Sequence, residues 1–113
     1  MKKDLLVFVK HILESIDKIE ANIRDVSKVE FSKDENLHDA TIRRLEVIGE
    51  AAKNLPSSFR KEHSSIEWKK IAGFRDKLIH HYFGVDLELV WKVIKDDLPK
   101  LKEDLVKIIG GHD

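Results

Sequence analysis

The stretch "DLLVFVKHILESIDKIEANI", residues 4–23, decides the fold. Its apolar residues Leu5, Phe8, Ile12, Ile16, Ile19 and Ile23 recur in steps of three and four, and Leu6, Val9 and Leu13 widen the stripe. That period gives one buried face of an α-helix and excludes the two-residue alternation of a strand. Lys10, Glu14 and Asp17 break the apolar run, so the segment reads as neither a membrane span nor a secretory signal. A soluble, cytoplasmic protein with no membrane association is the expectation.

Working outward, "RDVSKVEFSKDEN" at residues 24–36 loses the period and is predicted to be a turn region. A second helix is predicted from about Asp34 to Asn54, with a stripe of Leu37, Thr41, Leu45, Ile48, Ala52 and Leu55 that stops at Pro56. Gly49, Ala51 and Ala52 lack bulk and would let another helix approach closely. "SSFRKEH", residues 57–63, reads as a short helix. Another begins in "SSIEWKKIAGFRDKLIHHYFG", residues 64–84, with Ser64 or Ser65 as the cap and Gly84 as the stop. The last helix is predicted from about Asp86 to Ile109, with a bend or break at Pro99 and a frayed "GGHD" end.

A chain of 113 residues supports one modest core, so residues 1–113 are expected to form a single domain. Helices with short connections and no strand alternation imply an all-α, antiparallel four- or five-helix bundle. The 21 basic and 21 acidic residues cancel, which removes any global attraction to nucleic acid or lipid. Residues 60–81 are the exception, with six Lys and Arg against three Asp and Glu, and with His63, His80 and His81 in addition. The absence of cysteine excludes disulfides, cysteine-ligated zinc and thiolate catalysis.

The chemistry-bearing residues gather in "FRDKLIHHYFG", residues 74–84. At about 100° per residue, Arg75 and Tyr82 lie nearly on one helical face, whereas His80 falls about 140° from Arg75. Convergence then needs either an unwound helix end near Gly84 or a twofold axis that brings a second copy across a cleft. Asp76, four residues before His80, is placed to pair with it. The reaction that suits arginine, histidine and tyrosine is cleavage of an RNA phosphodiester. Histidine exchanges a proton with the ribose 2′-hydroxyl or the leaving 5′ oxygen, and arginine holds the non-bridging oxygens. Tyr82 would bond the phosphate or stack on a base, and His81 would contact substrate or face water. The competing reading is a packed, hydrogen-bonded surface. No HExxH is present and adjacent histidines do not chelate one ion from a regular helix, so no metal and no cofactor is expected. His11, His38 and His112 are read as surface residues, and Arg43, Arg44, Glu46 and Glu50 as a solvated face or intersubunit ion pairs.

The segment "RDKLIHHY", with the form R-x4-H-x-Y, resembles the signature of the HEPN superfamily. Together with "DATIRRLEVIGEAAKNLP", "IEWKKIAGFRDKLIHHYFGVD" and "VWKVIKDDLPKLK", it resembles more narrowly the HepT-like family, formerly DUF86, over about residues 4–109. That resemblance implies a HEPN-like homodimer, a metal-independent ribonuclease toxin with its cleft at the dimer interface. The motif arginine and histidine fall on Arg75 and His80 and the tyrosine on Tyr82. It further implies an RNA substrate such as tRNA or mRNA, and an MntA-like minimal nucleotidyltransferase antitoxin that transfers AMP from ATP to Tyr82. An anionic adduct there would fill the cleft and repel RNA. The alternative within the resemblance is a non-catalytic, nucleotide-binding or substrate-holding subunit of a nucleotidyltransferase.

Overall fold

The computed structural model describes the backbone of residues 3–80 and 87–111, and the side chains of residues 5–74 and 87–111. Among the described residues every regular element is helical: α1 (Lys3–Ile23), α2 (Lys28–Lys33), α3 (Glu35–Lys53), α4 (Ser57–Glu62), α5 (Trp68–His80), α6 (Leu87–Lys92), a π-helical turn (Val93–Asp97) and α7 (Leu98–Gly110). The predicted stripe of α1 is the stripe that is buried, with Val9, Ile12, Ile16, Ile19 and Ile23 shut from solvent. Each such side chain contributes about 1.5–3 kcal/mol on burial. α3 is the central element, packed against α1 on one side and α5 on another. Buried Gly49, Ala51 and Ala52 permit that double contact.

The C-terminal helix closes the bundle. His63, Ser65 and Ile66, just before α5, share a crevice with Asp104 and Ile108, while Lys70 reaches Asp97 at 3.3 Å. Rising numbers on one element meet falling numbers on the other, so α5 and α7 run antiparallel. The outcome is a helical bundle with four long members, α1, α3, α5 and the α6–α7 rod, and two short helices bridging them.

Three local expectations are corrected. The segment read as a turn region contains α2, started by a capping box: Ser27 Oγ accepts from the Glu30 N–H, and the Glu30 carboxylate accepts from the Ser27 N–H. Six residues are too few to show a helical period, and tertiary contacts hold them. Phe31 is buried against the Trp91 ring at 5.2 Å, and Lys28 pairs with Glu88. His38 is not a free surface residue. Half-buried, it donates from Nε2 to the Phe31 carbonyl and lies 5.0 Å from the Phe31 ring, clasping α2 to α3. His11 is exposed as expected, and His112 lies outside the described residues.

The third correction concerns the start of α5. Ser64 and Ser65 lie in a turn, and the helix begins at Trp68. Ile66 is buried, its N–H donates to the His63 carbonyl, and the Trp68 indole N–H donates to that same carbonyl at 3.0 Å. Two apolar side chains thus pin the turn and delay the helix. The expected irregularity at Pro99 is present just upstream as the π-helical turn, in which the Leu98 N–H reaches back to the Val93 carbonyl. Proline has no N–H to donate and its ring crowds the carbonyl four residues earlier. One wider turn moves that carbonyl aside without ending the rod.

Candidate active site

α5 carries the two residues that sequence places at the centre of the chemistry. It is α-helical without interruption from Trp68 to His80, so Arg75 and His80 sit on its last two turns. The helical angle of about 140° between them therefore holds on the backbone, and unwinding beyond His80 cannot change it. His81 and Tyr82, the proposed substrate contacts, and Gly84, the proposed stop, lie outside the described residues, as does any pairing of the Asp76 and His80 side chains. Trp68, Ile71 and Phe74 are buried along the inner face of α5 and fix its rotation against the bundle. Gly73, four residues after Lys69 and seven before His80, lies by register on the face of Lys69 and His80, away from that inner face. A Cβ built on it would meet nothing within 4 Å.

The positive segment 60–81 resolves into one surface feature. Arg60 and Lys61 on α4 and Lys69 and Lys70 on α5 line an open groove of about 760 Å³, with Glu67 as the acid among them. Sequence reasoning registered the local excess of charge but not that two helices converge it. The signal was present in "RKEH" and "WKK", two basic pairs separated by a connection short enough to fold them together.

A second groove lies on the other side of α3. Phe8 and His11 of α1 face Arg43, Glu46 and Glu50 across it. Arg43 pairs with Glu46 at 3.8 Å on the same helix and is itself largely exposed, so the face expected to be solvated or to make intersubunit ion pairs is solvated at Arg43 and carries an intrahelical ion pair. Among the described residues no three His, Asp or Glu side chains gather into a set able to hold a metal ion, and no helix is long and apolar enough to cross a membrane.

Comparisons with known proteins agree on one family. A family model described as "Ribonuclease HepT-like" matches residues 12–108. A Methanocaldococcus jannaschii protein named "Gamma-glutamylcyclotransferase and putative RNase" is 51% identical over 113 residues, covering 100% of this chain and 51% of its own. The chain thus spans about half the length of that relative. A Thermococcus cleftensis protein named "Probable ribonuclease HepT" is 43% identical over 108 residues, covering 96% of this chain and 98% of its own. No solved structure matches the chain.

Proposed function

The chain belongs to the ribonuclease HepT-like family, and from that premise we propose that it is a metal-independent endoribonuclease toxin acting in the cytoplasm at a cleft shared by two copies. The observation that carries the reading is the placement of Arg75 and His80 on the last two turns of one unbroken helix, on different faces. On one helix the backbone positions 75 and 80 stand about 140° apart, whereas a twofold axis would supply an arginine from one copy and a histidine from the other to the same phosphate.

In this mechanism the attacking group belongs to the substrate. His80 of one copy takes the proton of the ribose 2′-hydroxyl. The 2′ oxygen bonds to phosphorus as the bond to the 5′ oxygen breaks, and His80 of the other copy supplies the leaving oxygen with its proton. Arg75 holds the non-bridging oxygens while charge grows on them. Tyr82 and His81 contact the substrate, and DNA, which lacks the 2′-hydroxyl, is not cut by this route. The partner is an MntA-like minimal nucleotidyltransferase antitoxin that places AMP on Tyr82, and the added negative charge repels the RNA backbone.

The test is cleavage of total RNA or tRNA in chelator by wild-type, Arg75→Ala and His80→Ala proteins. Each variant is expected to lose on the order of a hundredfold or more in rate, while melting and sedimenting like the wild type. Equal cleavage by wild type and His80→Ala would overturn the mechanism. A variant that still binds RNA when the wild type cleaves nothing would favour a non-catalytic subunit. AMP transfer is read by mass: label on wild type and none on Tyr82→Phe is expected.

A further inference from the structure

The groove between α4 and α5 gathers four cationic side chains and one acid. Among the described residues Arg60, Lys61 and Lys69 have no carboxylate partner, whereas Lys70 meets Asp97 at 3.3 Å. Arg60 is half-buried, and among the described residues its Nε has no hydrogen-bond acceptor. Lys61 and Lys69 are exposed, so their charges face the groove's solvent. The N-terminal end of α5, with its partial positive charge, begins at the same place. The Trp68 indole is already committed to the His63 carbonyl, which makes it a buttress for the groove wall and leaves no free aromatic face for base stacking.

The ligand that fits is a chain of phosphates without base-specific contacts. Lys69 and His80 are eleven residues apart on α5, about 17 Å along the axis and within about 20° of the same face. Gly73, which has no side chain, and Asp76, which by register is placed to pair with His80, lie between them on that line. An extended polyanion laid along this face would touch the lysine end and the histidine end at once. A small anion would fill only one end.

We propose that the α4–α5 groove, through Arg60, Lys61 and Lys69, is a backbone-binding track that holds single-stranded RNA a short run of nucleotides away from the bond cut at Arg75 and His80. This rests on the ribonuclease reading for its substrate and adds the surface that positions it. With the whole molecule neutral, the track supplies the local attraction that net charge does not.

The test measures binding of a 2′-O-methyl RNA oligonucleotide, which cannot be cleaved by 2′-hydroxyl attack, to the full chain over a series of salt concentrations. Lys61→Ala/Lys69→Ala is expected to bind about tenfold more weakly at low salt. The slope of log affinity against log salt should become shallower by about 1.4, or about 0.7 for each phosphate that is no longer neutralised. Lys102→Ala, a cation change elsewhere, is the control and should keep the wild-type slope. Both mutated lysines are exposed, and an unchanged melting temperature shows that the fold is intact. A double variant with wild-type affinity and slope, or a wild type that does not bind the oligonucleotide, overturns the track. An acidic protein whose binding, unlike that of RNA, falls in the double variant does so as well. The two readings separate cleanly: lost cleavage in the wild type with the salt effect present sinks the reaction and not the track, and intact cleavage with the salt effect absent sinks the track and not the reaction.

Discussion

At the seam between α1 and α7, Lys102 meets Asp17 and Glu20 at 3.0 and 2.7 Å. In the groove between α4 and α5, Arg60, Lys61 and Lys69 meet no carboxylate among the described residues. Both regions are cationic side chains where two helices come together. At the seam charge is closed on itself and serves the fold; in the groove like charges are held side by side, which costs the fold a little and leaves them available to an outside anion. Charge counts along the chain cannot separate the two, because Lys102 finds its partners 82 and 85 residues earlier.

The strongest way to break the comparison lies beneath the seam. Leu105 is fully buried, and Leu105→Ala should cost about 3 kcal/mol through the transfer energy of the removed atoms and a residual cavity. Chemical denaturation would register this as a lower midpoint, and a loss under about 1 kcal/mol would mean that α7 is not packed as described. RNA affinity of the protein that remains folded should be unchanged.

A smaller effect is expected at α2. Ser27→Ala removes half of the capping box and should cost about 1 kcal/mol. Hydrogen bonds from the Ser27 backbone and side chain hold the Glu30 carboxyl below its ordinary value. Its contribution is therefore complete above the ordinary glutamate value of 4.5 and disappears as pH falls through the depressed folded value. The difference in melting temperature between wild type and Ser27→Ala should narrow in acid below that value. A gap that widens there would contradict the cap.

The smallest effect sharpens the comparison. Hydrogen bonding to Glu20, and then to Asp17, raises Lys102 above the ordinary lysine value. The raised value means the seam's contribution is present below the unfolded lysine value and is lost as pH rises through the folded one, above 10.5. Because the pair is largely solvated, Lys102→Met should cost no more than about 1 kcal/mol. Thermal melts near neutral pH and above pH 10.5 check both parts. A stability gap that grows in strong alkali would refute the assignment.

The long helices were legible because their information is local. α1 and α3 fall within a residue of the expected ends, and Asp34 and Asn54, named as the outer limits of the second helix, are its caps. Misread parts were those held by partners remote in sequence. Phe31 packs on Trp91, sixty residues away, and makes a helix of six residues that have no stripe of their own. Ser64 has the chemistry of a cap, but buried Ile66 and Trp68 use the residues before α5 as a turn. Of the candidate site, Arg75 and His80 were legible as residue types at a spacing, while the groove was legible only as an unplaced surplus of charge.

By itself the sequence determined the helical class, the heavy apolar stripes and the motif from Arg75 to Tyr82, since each is written in spacings of seven residues or fewer. Tertiary structure decided which cations are paired and which stand together, how His38 joins α2 to α3, and where the rod widens before Pro99. The reason is one of range. Helical periodicity is set by bonds between near neighbours, but the meeting of side chains from different helices depends on packing angles that no single stretch of chain encodes.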